Sequence, residues 1–141
     1  MKKRILAFDV GDARIGVAVS DPMGLIATPL EYIKNTGKKS VASEVEKLLR
    51  EYDVNLIVVG MPLHMNSDFG ESAKKSKAFG DYLSARFAIP VAYQDERLTT
   101  VMANSALIEC NVRRENRKKY IDSLSAALIL ESYMNGKNME E

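Results

Sequence analysis

Apolar residues form two short runs near the start of the chain, separated by a polar turn. The first run covers Arg4 to Phe8 and the second covers Arg14 to Ser20, and both patterns are typical of largely buried strands. The letters "GDAR" between them predict a hairpin turn, with Gly11 at a position that tolerates positive φ. A third strand is predicted within residues 26–33, where Pro29 indicates an edge or an irregularity. The chain therefore begins with a three-stranded antiparallel meander.

The pattern then alternates between helix-like and strand-like segments. Ser40 is predicted to cap a first helix, whose inner face is formed by Val41, Val45, Leu48 and Leu49. Asp68 and Glu71 have capping-box spacing for a second helix that runs to about residue 86. The short apolar runs 56–59 and 90–93 predict two further strands, which helical crossovers would add in parallel.

Two helices are predicted near the end of the chain, at residues 99–110 and 120–134. The element order is therefore βββαβαβαα, an α/β fold with a central mixed five-stranded sheet flanked by helices. Because no repeat, low-complexity block or linker interrupts the order, residues 1–141 are predicted to form one domain.

The composition and the hydrophobic pattern exclude several classes of protein. The single cysteine, Cys110, excludes an internal disulfide and a cysteine metal cage. The first apolar stretch ends at Asp9, too soon for an export signal, and no window approaches the ~20 apolar residues of a membrane helix. We therefore expect a cytoplasmic protein without a membrane partner. Its formal net charge of +1 means that binding to a polyanion would need a local basic patch.

Acidic residues stand where this kind of sheet binds ligands, outside the carboxyl ends of its strands. Asp9 ends the first predicted strand, Asp95 and Glu96 end the fifth, and Asp122 lies in the first turn of the last helix. Clustered carboxylates repel one another unless cations neutralise them. Oxygen ligands without a Cys or His cluster favour Mg²⁺ or Mn²⁺ over Zn²⁺. Two such ions, about 3.5–4 Å apart, would stabilise the attacking and leaving oxygens of a phosphodiester. Turn formation and favourable helix-dipole contacts are the alternative roles for these acids.

Basic residues offer candidate phosphate contacts. Five of them lie within residues 113–119, directly before the helix that carries Asp122: Arg113, Arg114, Arg117, Lys118 and Lys119. They would bind nucleic acid in a salt-dependent manner, or form a solvated loop. Arg97 could neutralise a phosphate or pair with a neighbouring acid, and Arg14 could contact substrate or brace the hairpin. The lone histidine, His64, lies in the loop after the fourth strand and could assist proton transfer or be incidental.

Four segments resemble the YqgF (RuvX) family of Holliday-junction-resolvase-like proteins: "FDVGDARIGVAVSD", "VVGMPLHMNSDFGE", "DERLTT" and "IDSLSAALILESY". They occur in the family's order along nearly the whole chain. The resemblance implies a ribonuclease H-like fold and a metal-dependent nuclease that processes the precursor of 16S ribosomal RNA, with Holliday-junction resolution as the alternative. It also implies that Asp9, Glu96 and Asp122 are the catalytic acids and hold the Mg²⁺ or Mn²⁺ ions.

One feature departs from better-known nucleases of this fold, which often carry an acid on the fourth strand. This chain has "LIVVGMP" there and no carboxylate. Glu96 is expected to substitute for that acid, with Asp95 as the reserve candidate. Because neighbours alternate along a strand, Asp95 should point to the opposite face from Glu96.

The expected partner is nucleic acid, either structured RNA or branched DNA, bound by a monomer or a homodimer. Resolution of a junction would need two symmetrically placed active sites. Two other classes remain open. Actin-like ATPases and sugar kinases share this core, but they close two lobes on ATP whereas 141 residues supply one. A non-catalytic RNA- or protein-binding module is the third possibility.

Overall fold

A computed structural model of the protein describes residues 4–61, 70–95 and 123–135. The elements are β1 (Arg4–Val10), β2 (Arg14–Ser20), β3 (Ala27–Lys34), α1 (Lys38–Tyr52), β4 (Val54–Met61), α2 (Glu71–Phe87), β5 (Val91–Asp95) and α3 (123–135). The predicted order is confirmed from β1 to β5 and for the last helix. The helix predicted at 99–110 lies outside the described residues.

The five strands form one mixed sheet in the order β3-β2-β1-β4-β5. β1 pairs antiparallel with β2 and parallel with β4, so that Phe8 lies between Val17 and Val59. β2 pairs antiparallel with β3, and β4 pairs parallel with β5. Because β1, β3, β4 and β5 all run in one direction, their carboxyl ends meet at one edge of the sheet. As predicted, the strand that contains Pro29 is an edge strand.

Helices α1 and α2 cover one face of the sheet. The core on this face includes the fully buried side chains of Leu6, Phe8, Val45 and Leu83. The Phe8 ring meets the Phe79 ring of α2 edge-on, with centroids 5.3 Å apart. Complete burial of one such side chain contributes about 1.5–3 kcal/mol, so this face fixes the position of β1 at the centre of the sheet.

Helix α3 covers the opposite face. Ala7, Ala18 and Val58 of the sheet pack there against Ile129 and Leu130 of the helix, and all five are buried. The small alanine side chains let the helix approach the strands closely. Among the described residues, no helix has both the length and the apolar character that crossing a membrane requires.

The predicted reason for Gly11 in the hairpin turn is wrong. Among the described glycines, positive φ occurs at Gly24 and Gly37 and not at Gly11. A Cβ at Gly11 would lie 2.6 Å from the carbonyl oxygen of Arg14, the same oxygen that accepts a hydrogen bond from the Gly11 amide at 2.9 Å. The turn therefore requires glycine because a carbonyl group approaches closely.

Both predicted helix caps are also wrong. Gly37, with φ 138°, precedes the first residue of α1, and Ser40 lies within the first turn instead. Gly70 is the N-cap of α2 and Glu71 is its first residue, so the capping box with Asp68 is not formed; Asp68 itself lies outside the described residues. Neither N-cap residue makes a side-chain hydrogen bond to its helix, and the positive φ of Gly37 is a conformation that favours glycine.

Candidate active site

Asp9 is the last but one residue of β1 and is half-buried. Side chains alternate along the strand: Leu6 and Phe8 belong to the core under α1 and α2, whereas Ala7 belongs to the core under α3. Asp9 therefore faces the α3 side, near the carboxyl end of the central strand. This is the strand-end position at which the sequence predicts a ligand-binding acid.

Two glycines flank Asp9 in the sheet. Gly16 of β2 lies directly opposite Asp9. On the other side, the pairing of Phe8 with Val59 brings Gly60 of β4 to the level of Asp9. Both glycines are buried. The two neighbouring strands thus contribute no side chain at this level, and the Asp9 carboxylate is flanked there by backbone alone within the sheet.

The first described residue of α3, Ser123, is tied to the sheet close to Asp9. Its side chain is fully buried, and its Oγ accepts a hydrogen bond from the Val17 amide at 3.0 Å. Val17 follows Gly16, and it lies where the β2–β3 register shifts. Sequence reasoning did not identify Ser123, although a serine within the apolar run "DSLSAALIL" is a usable signal. Asp122 is the preceding residue in the sequence and lies outside the described residues.

The acid at the end of β5 faces away from Asp9. Asp95 is the last residue of the strand and pairs with Met61 of β4. Val91 and Tyr93 pack in the core under α1 and α2, so alternation places Asp95 on that face as well. Asp95 is therefore a poor substitute for Glu96, which follows it in the sequence and lies outside the described residues.

A polar cluster holds β5 against α2. The Tyr93 hydroxyl donates to Asp81 Oδ1 at 2.8 Å, and Lys77 Nζ binds the same oxygen at 2.7 Å. The Lys77 ammonium also lies 4.8 Å from the centroid of the Tyr93 ring. Hydrogen bonds from Lys77 and Tyr93 lower the pKa of Asp81, whereas burial and the bond to Asp81 raise the pKa of Tyr93. The cluster fixes the strand that leads to Glu96.

Arg14 lies on the Asp9 side of the sheet, two residues before Gly16 in β2. Its guanidinium is 5.0 Å from the centroid of the Tyr32 ring in β3, a cation–π contact that braces the hairpin. Arg14 is exposed, so it can brace the hairpin and still be within reach of a substrate. The other predicted nucleic-acid contacts lie outside the described residues: Arg97, Arg113, Arg114, Arg117, Lys118 and Lys119; so does His64.

Within 4–61, 70–95 and 123–135, no group of three or more His, Cys, Asp or Glu residues could hold a metal ion. Asp9 is the one predicted metal ligand that the structure describes. Its hard carboxylate oxygens suit Mg²⁺ or Mn²⁺. The described part of the site thus supplies one carboxylate of the kind that divalent cations bind.

The sequence of this chain matches the model of a family described as "RuvX: Holliday junction resolvase" over residues 3–136. The chain belongs to the RuvX family. A relative from Lachnospira eligens is 46% identical over 137 residues, which cover 95% of this chain and 98% of the relative. Another, from Clostridioides difficile, is 45% identical over 134 residues and 95% of each chain. Both carry the description "Putative pre-16S rRNA nuclease". The family resemblance seen in the four motifs is confirmed.

Solved structures similar to this RuvX chain establish its fold. Thermus thermophilus RuvC in complex with a Holliday junction superposes with a TM-score of 0.60 at 14% identity, covering 96% of both chains. The fowlpox virus Holliday junction resolvase gives 0.60 at 16% identity, covering 94% of this chain and 99% of the resolvase. The ribonuclease H-like fold implied by the sequence is therefore confirmed.

Proposed function

We propose that this RuvX protein is a metal-dependent endonuclease that hydrolyses phosphodiester bonds in the precursor of 16S ribosomal RNA. The observation that carries the proposal is the placement of Asp9 at the carboxyl end of the central strand, flanked by Gly16 and Gly60 on the neighbouring strands. The description of the 45–46% identical relatives as pre-16S rRNA nucleases supports the choice of substrate.

Asp9, Glu96 and Asp122 would hold the Mg²⁺ or Mn²⁺ ions, two in the arrangement that we favour. Glu96 directly follows β5, whose carboxyl end lies at the same sheet edge as that of β1. Asp122 directly precedes Ser123, which is anchored beside the residue opposite Asp9. The ions would supply positive charge to stabilise the attacking and leaving oxygens of the scissile phosphodiester.

The protein's own contribution is to hold these acids in fixed relative positions. The bond from the Val17 amide to Ser123 fixes the first described residue of α3 against β2, and the bond from Tyr93 to Asp81 fixes β5. Groups that are held in position before the substrate binds do not have to reorganise in the transition state, and this lowers the activation free energy. Arg14, on the same face, would contact substrate phosphates.

The basic residues outside the described part would extend this phosphate-binding surface: Arg97, Arg113, Arg114, Arg117, Lys118 and Lys119. Each phosphate contact releases counterions, so binding should weaken as salt rises. The match of the family over 3–136 supports a single nuclease domain over residues 1–141. A precursor of ribosomal RNA as substrate would place the protein in the cytoplasm.

Resolution of Holliday junctions is the second candidate, because the family description names that activity. Symmetric cleavage of a junction needs two active sites related by a two-fold axis. A homodimer is therefore required for this function, and a strictly monomeric protein would contradict it. Cleavage of RNA precursor carries no such requirement.

A cleavage assay on three substrates tests the proposal. Purified protein with Mg²⁺ or Mn²⁺ is offered precursor 16S RNA, unstructured single-stranded RNA and a four-way DNA junction, with Asp9→Asn as control. We expect cleavage of the precursor at defined positions that stops when EDTA removes the metal. Preference for the junction would favour the resolvase. Tight binding of precursor without cleavage under either metal would instead show a binding module and overturn the proposal.

A further inference from the structure

A cavity of about 370 Å³ opens between α1, α2 and the β1–β2 hairpin. It is large enough for a small ligand, since such sites occupy roughly 300–1,000 Å³. Val10 lines the cavity. Because Val10 follows Asp9 in β1, the cavity and the Asp9 carboxylate lie on opposite faces of the sheet. The cavity is therefore separate from the proposed nuclease site.

The walls of the cavity are largely apolar and partly aromatic. Val10 and Val41 line it together with the rings of Phe79 and Tyr82 on α2. Both rings are only half-buried, so ring surface remains accessible. Phe79 is held in place by its edge-on contact with Phe8, 5.3 Å between centroids. A pre-positioned aromatic wall of this kind suits a flat aromatic ring.

Positive charge predominates among the described residues that line the cavity. Lys38 and Lys75 contribute two ammonium groups, and Asp12 contributes one carboxylate. Lys75 Nζ lies 2.9 Å from Asp12 Oδ1, whereas Lys38 Nζ lies 5.7 Å from the centroid of the Tyr82 ring. The first turn of α1 contains no acid, although acids are favoured there by the helix dipole. The charge at the mouth thus complements an anionic group.

We propose that this cavity binds a nucleotide unit, with its base against Phe79 and Tyr82 and its phosphate at Lys38 and Lys75. A nucleotide combines the flat aromatic ring and the anion that the two parts of the cavity require. It could be a free mononucleotide or the phosphorylated end of an RNA chain. The proposal goes beyond the nuclease activity and does not depend on the role of Asp9.

Calorimetric titration with AMP and adenosine tests the two halves of the proposed ligand. AMP should bind saturably, and adenosine, which lacks the phosphate, should bind about tenfold more weakly because a charge-assisted contact is lost. Lys38→Ala should weaken AMP binding by about tenfold for the same reason. Lys39→Ala removes an equal charge from the next residue, which is not among the residues lining the cavity, and should change the affinity by less than about twofold because of screening.

A second variant tests the cavity itself without changing charge. Ala78 lines the cavity and is exposed, so Ala78→Trp should fill the space, leave the fold intact by circular dichroism and abolish AMP binding. Titration with a 5′-phosphorylated 2′-O-methyl tetranucleotide distinguishes the two sources of the nucleotide. Tighter binding than AMP identifies an RNA end, and equal or weaker binding identifies a free mononucleotide.

Three results would overturn the proposal: no saturable binding of AMP or the oligonucleotide, equal affinity for AMP and adenosine, or equal losses in Lys38→Ala and Lys39→Ala. All of these are binding measurements, and they can be made on the Asp9→Asn protein. A failure of the cavity proposal is therefore distinguishable from a failure of the nuclease proposal, which is read from cleavage.

Discussion

Replacement of Gly80 by alanine probes the packing that holds β5 on α2. Gly80 is buried within α2, and a Cβ there would lie 2.5 Å from the Tyr93 hydroxyl oxygen and 2.8 Å from Cε1 of the same ring. The ring is not free to move aside, because its hydroxyl donates to Asp81 at 2.8 Å and the Lys77 ammonium lies over its face. We therefore expect Gly80→Ala to be destabilising.

The expected change in the free energy of unfolding follows from two opposing effects. Alanine is favoured over glycine within a helix by about 1 kcal/mol, whereas overpacking a tight site costs about 1–3 kcal/mol. Displacement of the Tyr93 hydroxyl from Asp81 adds to the cost. The net loss of unfolding free energy should be about 1–2 kcal/mol. In a Tyr93→Ala background the obstacle is absent, and the same change at Gly80 should stabilise by about 1 kcal/mol.

Urea denaturation followed by far-ultraviolet circular dichroism measures all four proteins of this cycle. We expect the effect of Gly80→Ala on the free energy of unfolding to change sign between the two backgrounds, which gives a coupling free energy of about 2–3 kcal/mol. Stabilisation by Gly80→Ala in the native background, or the same effect in both, would refute the reasoning.

Three further predictions concern the hydrogen bonding of individual side chains. Ser123→Ala should lower the unfolding free energy by about 1–3 kcal/mol, because the buried Val17 amide loses its acceptor; an unchanged urea midpoint would contradict this. Ser76→Ala should raise it by about 0.5 kcal/mol or more, since the buried Ser76 hydroxyl has no hydrogen-bond partner among the described residues; a lower melting temperature would count against it. Burial and the bond to Asp81 raise the pKa of Tyr93 above its ordinary 10.0. As pH rises past 10.0, the Tyr93 hydroxyl therefore loses its proton in the unfolded chain before it does so in the folded protein, and the free energy of unfolding falls. Tyr93→Phe should flatten this alkaline loss in urea midpoints at about pH 9 and pH 11, and equally steep losses would disprove the assignment.

The strands could be predicted because burial imposes a period on the sequence. The predicted bounds of the second strand, Arg14 to Ser20, match β2. β1 runs two residues beyond the predicted end because Asp9 and Val10 still pair with β2. The pattern of apolar side chains ends at Asp9, but the pairing of β1 with β2 continues to Val10.

The turn and the helix starts could not be predicted from residue type. Gly11 is needed where a carbonyl oxygen approaches within 2.6 Å of the place for a Cβ. Gly37 and Gly70 precede helices for which Ser40 and Asp68 offered better cap chemistry. These choices depend on backbone geometry that tertiary packing sets.

The candidate site also contains some features that the sequence predicts and others that it does not. The strand-end location of Asp9 and the opposite orientation of Asp95 follow from the order of elements and from alternation along strands. The sequence signals Ser123 only as a polar residue in an apolar run and does not signal Tyr32, because each matters through a contact with a distant segment. The bond from Val17 to Ser123 joins residues 106 positions apart, a separation that no local pattern encodes.

The most direct test of the proposed function is the cleavage rate of precursor 16S RNA by two matched variants. Asp9→Asn and Asp12→Asn each remove one negative charge from the same hairpin, but Asp12 is exposed, is paired with Lys75 and lines the cavity rather than the Asp9 site. If Asp9 is a metal ligand, Asp9→Asn should lower the Mn²⁺-dependent rate by about 100-fold or more, and Asp12→Asn should retain it. Similar rates for Asp9→Asn and the native protein would contradict the account.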